Sequence, residues 1–272
     1  MIKVHIPKTM PAAQLVEGTY QSSLPLVPSH EPVGTVVALG KDAAKQWKIG
    51  DRVGALLFRH MCGTCSHCEA TRDIRFCGNG DFAGLKGDGG MAEYMIGGAD
   101  NMLLLPDEIS FVQGAPLVCA GATVWGGIHA SKIKPGEPIG IIGIGGLGSL
   151  GVQFAKALGH PVVAIDNRPE GRQLATTNHW ALKLLRPNGA FVPLGLHVEG
   201  FRLDAFDLIF QQLTVVGSLV STKEQAKEML QCVAQYGIKS WITEIPLQRA
   251  GELPKLYMSP HLKGRLDVNI SA

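Results

Sequence analysis

Short apolar runs separated by glycine and proline fill the part of the chain before residue 125. Runs long enough for strands lie at residues 33–39, 52–57, 92–96 and 102–105. Apolar runs of this length between turn-forming residues are typical of β-strands. We therefore predict a β-rich domain in this part of the chain, with its end between residues 123 and 134.

After that point, strand-like runs alternate with helical patterns. Residues 139–144 form an apolar run rich in β-branched side chains, and residues 147–158 repeat apolar side chains at helical spacing. A second apolar run follows at 161–165. The remaining predicted elements are strands at 190–194 and 214–219, and helices over 169–186 and after the capping-box sequence at 221–224. This alternation predicts a doubly wound parallel sheet.

The turn between the first of these strands and its helix is rich in glycine. Gly143, Gly145 and Gly148 have the G-x-G-x-x-G spacing, which permits a tight turn and a pyrophosphate at the helix N-terminus. A purely structural glycine turn is the alternative, but the strand, helix, second strand and terminal acid together favour a dinucleotide site. Asp166 is placed to accept hydrogen bonds from the adenosine ribose, which favours NAD, whereas nearby Arg168 keeps NADP as the second choice.

Cysteine is concentrated in one short segment, where Cys62, Cys65, Cys68 and Cys77 lie within sixteen residues. A disulfide knot, a redox-active pair and a metal site are the three alternatives. Consecutive C-x2-C steps allow four thiolates to converge on one ion, which is the arrangement of a structural zinc site. A redox-active pair normally opens a helix in a βαβ unit, whereas these cysteines lie among Gly, Thr, Ser and Asp residues. The spacing therefore favours zinc.

Composition and charge exclude several classes of protein. The 272 residues carry a formal net charge of +2 without a run of basic residues, which argues against a zinc-ribbon nucleic-acid binder. The N-terminus lacks the apolar core of a signal peptide, and no stretch approaches about 18 apolar residues. We therefore predict a cytoplasmic protein without a nucleic-acid or membrane partner, in which disulfides are rare.

The cysteine segment and the glycine loop occur together with further motifs, namely PSHEPVGTVVALG (28–40), KIGDRVG (48–54), DGGMAEY (88–94), APLVCAGATVW (115–125) and GIGGLGSLGVQFAKALG (143–159). In this combination, residues 16–272 resemble the zinc-containing medium-chain alcohol dehydrogenases, and residues 16–34 are most similar to fungal members. The resemblance implies an α/β protein with a GroES-like catalytic domain over 1–125, a shortened Rossmann domain over 126–245 and a C-terminal return to the catalytic domain over 246–272.

The same resemblance implies the site and the reaction. His30, Glu31 and Cys119 match the family's catalytic zinc cluster, and Thr123 matches a residue that contacts the nicotinamide. Taken singly, His30 fits a hydrogen-bonded histidine at a strand end, and Cys119 fits a packed core thiol. The implied cofactor-binding residues are Thr123, Gly143, Ile144, Gly145, Gly146, Leu147, Gly148, Asp166 and Arg168. Family members interconvert a small alcohol and an aldehyde or ketone with zinc and NAD(P), and they form homo-oligomers. Some fungal members serve secondary metabolism.

Two departures from the family pattern change this expectation. The family's Cys-His-Thr/Ser-Asp stretch, which supplies another zinc ligand and a proton-relay hydroxyl, is missing, and Thr9 and Pro11 stand near those positions. N-terminal strands, and further strand–helix units after residues 168–175, are also predicted to be absent. The alternative function is therefore a catalytically impaired relative that keeps the structural zinc and the nucleotide-binding features. In either case we expect weaker metal binding at the catalytic cluster than at the four cysteines.

Overall fold

The computed structural model describes residues 2–9, 21–166, 180–195, 201, 203–257, 259, 262 and 264–270. The chain divides into two compact units, the first comprising Met1–Ala122 with Thr222–Ala272 and the second comprising Thr123–Ser221. A large sheet dominates the first unit, and the second unit alternates strands and helices. The predicted α/β fold with a β-rich domain is therefore confirmed.

Strands occur in both units, and most of them lie in the first unit. In the described part of the chain, the strands are β1 (Ile2–Thr9), β2 (Val33–Leu39), β3 (Arg52–Ala55), β4 (Phe58–His60), β5 (Asp81–Phe82), β6 (Tyr94–Gly97), β7 (Met102–Leu104), β8 (Ile139–Ile142), β9 (Val162–Ile165), β10 (Ala190–Phe191), β11 (Thr214–Val215), β12 (Ile242–Pro246) and β13 (Arg265–Asn269).

Helices are mostly short. Within the residues that the structure describes, they include α1 (Ser66–Thr71), α2 (Phe111–Gly114), α3 (Ala120–Ala130), α4 (Gly146–Ala157), α5 (Ala205–Phe210), α6 (Lys223–Tyr236) and α7 (Leu253–Tyr257). Segments of 3₁₀-helix cover Ala43–Lys45, Ile74–Phe76, Ala99–Asn101, Ala115–Val118 and Leu247–Glu252. The predicted capping box at the start of α6 is formed by Thr222 and Gln225, one position later than the sequence indicates.

A seven-stranded sheet organises the first unit. Its strand order is β12-β13-β1-β2-β3-β7, and β6 also pairs with β1. β13 is antiparallel to β1 and parallel to β12. The buried core against this sheet includes Val4, Val36, Val53, Met95, Met102, Leu266 and Val268. Because these side chains come from six different strands, the core joins the N-terminal, middle and C-terminal parts of the chain.

This sheet differs from the sequence prediction in two places. We predict no strand before residue 33, yet β1 covers Ile2–Thr9 and pairs with β2, β6 and β13. Ile2, Val4 and Ile6 do alternate with polar residues, but Pro7 interrupts the run, and its pairing partners are distant in sequence. The predicted nucleotide-binding domain runs to residue 245, yet α6 and β12 fall in the first unit. The reason is that β12 pairs along its whole length with β13.

The second unit contains the predicted strand, loop, helix and strand in succession. β8 and β9 pair in parallel, and α4 between them buries Leu150, Phe154 and Ala155. The ring of Phe154 meets the ring of Trp125 edge-on, at a centroid distance of 5.3 Å. The predicted apolar face of this helix is therefore confirmed.

The second unit has two separate parallel pairs in its described residues, β8 with β9 and β10 with β11. Strands of parallel sheets are usually buried on both faces. Here Val163 in β9 is 58% exposed and Ile142 in β8 is 38% exposed. The predicted helix over 169–186 lies outside the described residues except near its end, where residues 180–183 are helical.

No single helix among the described residues has the length and apolar character needed to cross a membrane. One bent pair, Phe111–Val118 with Ala120–Ala130, passes by length and composition, as buried core helices also do. Leu117, Val118 and Trp125 in this pair are buried.

Candidate functional site

Cys62, Cys65, Cys68 and Cys77 come together around one point. Sγ of Cys62 lies 3.6 Å from Sγ of Cys77 and 3.9 Å from Sγ of Cys68, and all four sulfur atoms lie within 4.8 Å of one another. Four thiolates bound to zinc at about 2.3 Å would stand about 3.8 Å apart. All four cysteines are free, whereas a disulfide requires about 2.05 Å between its sulfur atoms. The geometry thus matches a metal site and contradicts the disulfide alternative.

The backbone of this four-cysteine lobe, residues 62–77, is arranged around its sulfur atoms. Cys65 precedes α1, and its Sγ accepts hydrogen bonds from the N–H groups of Cys68 and Gly78 at 3.5 and 3.4 Å. Sγ of Cys77 accepts one from the N–H of Cys62 at 3.4 Å. Hydrogen bonds of this kind stabilise a thiolate over a thiol. The N–H groups of Cys68 and Gly78 therefore lower the pKa of Cys65.

The thiols of the lobe differ in their acidity. The backbone N–H groups of Thr64 and Cys65 lower the pKa of Cys62 to about 5. Burial, reinforced by the neighbouring thiols, raises the pKa of Cys68 to about 12. Ionised and protonated thiols are therefore neighbours at neutral pH, and a metal ion must displace the remaining protons when it binds.

An ion pair lies in the segment before Cys77. Arg72 ends α1 in the left-handed conformation, with a φ of 50°. Asp73 then accepts hydrogen bonds from the guanidinium of Arg75, with 2.6 Å between Nη2 of Arg75 and Oδ2 of Asp73. This ion pair lies in the short segment between the end of α1 and Cys77.

A second loop holds the segment that carries His30 and Glu31. Residues 89–91 donate their backbone N–H groups to the carbonyl oxygens of residues 27–29, at distances of 2.7 to 3.0 Å. A Cβ at position 89 would lie 1.9 Å from the carbonyl oxygen of Ser29, so only glycine allows this approach. The DGGMAEY motif therefore positions the residues that immediately precede β2.

His30, Glu31 and Cys119 form a second cluster of potential metal ligands. Nε2 of His30 lies 3.2 Å from Sγ of Cys119 and 4.0 Å from Oε1 of Glu31. Cys119 lies between the 3₁₀ segment Ala115–Val118 and the start of α3. The structure thus brings together three residues whose proximity cannot be inferred from their spacing in the sequence, because 89 positions separate His30 from Cys119.

The imidazole of His30 is in the state that a metal ligand requires. Burial lowers its pKa, and Arg265 adds to this effect, while Glu31 acts in the opposite direction. The ring is therefore neutral near pH 7, with Nε2 directed at Cys119. Nδ1 is buried and has no hydrogen-bond partner among the residues that the structure describes. Metal-bound histidines almost always donate this second N–H, so the support of the ring is incomplete.

Arg265 in β13 is the residue that sequence reasoning misses. Its Nη2 contacts both carboxylate oxygens of Glu31 at 2.5 Å. Burial works against its charge, but Glu31 and Cys119 nearby raise the pKa of Arg265 above its usual value. The partners are 234 positions apart, and no local pattern marks an arginine that pairs over this distance.

The glycine loop has the geometry of a helix N-terminus open to an anion. Gly143 adopts a φ of 84° and donates its N–H to the carbonyl oxygen of Ile165 at 2.8 Å. The N–H of Ile144 donates to Oδ2 of Asp166 at 3.2 Å. Gly145 precedes α4 without a side-chain cap. The predicted loop residues and Asp166 are therefore adjacent, with Gly146, Leu147 and Gly148 in the first turn of the helix.

The remaining predicted site residues are placed as follows. Thr123 lies in α3. The backbone of Thr9 pairs with Val268 in β13. Pro11 and Arg168 lie outside the described residues.

A family model and curated relatives that match this chain are both described as alcohol dehydrogenase. The alcohol dehydrogenase GroES-like domain family matches residues 3–107. An alcohol dehydrogenase of Geobacillus stearothermophilus is 31% identical over 284 residues, which covers 91% of this chain and 84% of the relative. The curated relative therefore matches both parts of the chain, the β-rich part and the part with the glycine loop.

Solved structures with the same fold include enzymes with different dinucleotides. CAD from Helicobacter pylori, complexed with NADP(H), has a TM-score of 0.84 at 24% identity and covers 98% of this chain and 90% of its own. Acetophenone reductase from Geotrichum candidum, in complex with NAD, has a TM-score of 0.84 at 23% identity and covers 99% and 89%. At these identities the likeness establishes the fold.

Proposed function

Because the chain belongs to the zinc-containing medium-chain alcohol dehydrogenase family, we propose that it interconverts an alcohol and an aldehyde or ketone with zinc and NAD(P). The observation that carries the proposal is the cluster of His30, Glu31 and Cys119, whose ligand atoms lie within 4.8 Å of one another. The donor set of imidazole, thiolate and carboxylate suits a catalytic zinc site with three protein ligands. The predicted role in fungal secondary metabolism, the homo-oligomer and the cytoplasmic location stay predictions.

The two clusters fit zinc to different degrees. The four-cysteine lobe offers four sulfur atoms at tetrahedral spacing, which suits a structural ion. The second cluster offers one sulfur atom, and Nδ1 of His30 lacks a partner in the described part of the chain. We therefore propose that zinc is held firmly by the lobe and more weakly by His30, Cys119 and Glu31.

Each residue of the site has a role in this proposal. Zinc at the second cluster would supply Lewis acidity to an alcohol or carbonyl oxygen. His30 contributes a neutral ring nitrogen and Cys119 a thiolate. The N–H groups at the start of α4 bind the pyrophosphate, and Asp166 accepts hydrogen bonds from the adenosine ribose. The carboxylate of Asp166 would repel a 2′-phosphate, so we propose NAD as the preferred cofactor.

A catalytically impaired relative is the second candidate function. The match to the Geobacillus enzyme extends over 284 positions, which exceeds the 272 residues of this chain, so parts of the relative have no counterpart here. The two separate strand pairs among the described residues of the second unit support the proposal that these parts belong to the nucleotide fold. A protein of this kind binds lobe zinc and transfers no hydride.

Zinc content and turnover distinguish the two candidates. The purified protein is analysed for zinc, and its oxidation of primary and secondary alcohols is followed as NADH or NADPH formation. Cys119→Ser should remove one of two zinc ions and all turnover, while Cys232→Ser, at a buried cysteine in α6, serves as the matched control. Turnover that survives in Cys119→Ser contradicts the proposed site. One zinc and no turnover in the parent protein favour the impaired relative.

A further inference from the structure

Arg59 in β4 joins the base of the four-cysteine lobe to the loop that contains the DGGMAEY motif. Its side chain is 13% exposed, and its Nη2 lies 2.8 Å from each carboxylate oxygen of Asp81. Its Nη1 donates hydrogen bonds to the carbonyl oxygens of Asp88 at 2.7 Å and of Ile96 at 3.4 Å. One buried guanidinium therefore holds three separate points of the chain.

The loop that this guanidinium holds also fixes the segment before His30. Oδ1 of Asp88 accepts a hydrogen bond from the N–H of Val27 at 2.9 Å. Two residues further on, the N–H of Gly90 donates to the carbonyl oxygen of Ser29 at 2.9 Å. A cavity of about 290 Å³ adjoins the loop, and Val27 and Asp88 are among the residues that line it. Because packing is incomplete on this side, the loop depends on its hydrogen bonds to stay in place.

Ser29 is strained at the position next to the metal cluster. It is fully buried and has a φ of 78°, a left-handed conformation that residues other than glycine seldom adopt. Such a conformation costs about 1–3 kcal/mol and persists only where the surrounding structure imposes it. If the loop loosens, relaxation of this φ rotates the next peptide and carries the ring of His30 away from Cys119. Ser29 is therefore a two-state element that the loop biases towards the ligand geometry.

The lobe meets this network at its base. Residues 62–77 lie in the connection between β4 and β5, and these two strands pair at two positions. A two-stranded pair of this length is marginal by itself. A metal ion bound by the four cysteines closes the connection and so lowers the entropy cost of pairing the strands. Metal in the lobe therefore keeps Asp81 beside Arg59.

We propose that Arg59 is a positioning residue for His30 and couples the two clusters, so that metal in the lobe raises the zinc affinity of the second cluster. The inference rests on the proposed zinc site. The coupling runs from the lobe through Asp81 and Arg59 to the loop, and from the loop through Ser29 to His30. Because coupling between two binding sites is reciprocal, zinc at the second cluster also tightens metal binding by the lobe.

Arg59→Met breaks the proposed route at its centre. Zn²⁺ is titrated into protein that keeps its lobe zinc, in competition with a chromophoric chelator. The variant should bind the second zinc about 10-fold more weakly than the parent protein, the scale on which outer partners of ligands tune metal affinity. If Arg59→Met does not fold, Arg59→Lys replaces it, because lysine keeps the charge beside Asp81 but lacks the fixed fork of donors. An affinity equal to that of the parent protein overturns the proposal.

Arg52→Met is the matched control. Arg52 in β3 is also mostly buried, and it also donates to two carbonyl oxygens and contacts one aspartate, in this case within residues 106–109. It has no such contact with the loop before β6. The control should therefore leave the affinity for the second zinc unchanged, and a loss equal to that of Arg59→Met overturns the specific role of Arg59.

Ser29→Gly tests the strained residue. Glycine adopts positive φ about as readily as negative φ, so this variant keeps the ligand geometry when the loop loosens. Arg59→Met should weaken binding of the second zinc by about 10-fold when residue 29 is serine and by less than about 3-fold when it is glycine. Equal losses in the two backgrounds overturn the proposed route.

Loss of the lobe metal tests the coupling itself. Cys77→Ser should weaken binding of the second zinc by about 10-fold in the parent background. It should add little to the effect of Arg59→Met, because both changes break the same route. Losses that add fully in the double variant show two independent effects, which overturns the proposal.

Hydrogen exchange separates this inference from the proposed function, because it needs no zinc at the second cluster. The amides of residues 89–91 should exchange faster in Arg59→Met and in Cys77→Ser than in the parent protein. Unchanged exchange in Arg59→Met overturns the inference and leaves the proposed function standing. A parent protein that binds no second zinc, but loses protection in both variants, overturns the proposed function and supports the positioning role of Arg59.

Discussion

Gly148→Ala is the sharpest test of the glycine loop. An alanine Cβ at this position would lie 1.9 Å from the carbonyl oxygen of Gly143, a separation that real Cβ atoms essentially never show. It would also lie 3.3 Å from Cγ2 of Ile141. Because Gly148 is in the first turn of α4, either the helix or the loop must move by more than 1 Å to relieve the clash.

The cost follows from what holds the loop in place. Moving Gly143 would weaken or break its own hydrogen bond to Ile165 and the neighbouring hydrogen bond from Ile144 to Asp166. Each of these contributes about 1 kcal/mol to stability. Overpacking adds about 1–3 kcal/mol. The higher helix propensity of alanine relative to glycine offsets about 1 kcal/mol of this cost. We expect a net loss of about 2–4 kcal/mol in the opening free energy of this segment.

Hydrogen exchange of peptides from α4, followed by mass spectrometry, measures this local free energy. The matched control is Gly140→Ala in β8, where an added Cβ meets nothing within 4 Å and the change should stay below about 0.5 kcal/mol. NADH titration of the same proteins should show lost binding in Gly148→Ala alone. Equal exchange and equal NADH binding in the two variants would refute the reasoning about the close approach.

Four further predictions concern the lobe and the cofactor. Cys77→Ser should lose the lobe zinc and lower the melting temperature, and metal analysis that finds the zinc retained would contradict the assignment. In chelator-treated protein at pH 7, iodoacetamide should modify Cys62 before Cys68, because pH 7 lies above the pKa of about 5 and below the pKa of about 12. The reverse order in peptide mass spectra would be evidence against this loop geometry. The low pKa of Cys62 also means that the metal-free protein gains stability as the pH rises from about 5 towards 9.0, and Cys62→Ala should flatten that rise. Asp166→Ser should shift the ratio of NADH to NADPH dissociation constants towards NADPH, and an unchanged ratio would remove Asp166 as the selector.

Local segments of the sequence determined the parts of the site whose residues are close along the chain. The lobe cysteines span sixteen residues, so their spacing alone limits them to one small loop. The glycine loop and α4 are equally local, because a strand, a turn and an amphipathic helix each carry a period in the sequence. The family motifs added His30, Glu31 and Cys119, which no spacing connects.

Only the tertiary structure decided what depends on contacts between distant segments. Arg265 reaches Glu31 because β13 enters the same sheet as β2 through β1, and no local pattern specifies a pairing between segments so far apart in the chain. The same pairing makes a strand of Ile2–Thr9 and returns β12 to the first unit. Burial then decides the chemistry, because it encloses the ion pair of Glu31 and Arg265 and lowers the pKa of His30. Burial depends on how distant segments pack into the core, so it cannot be derived from the sequence of any one segment.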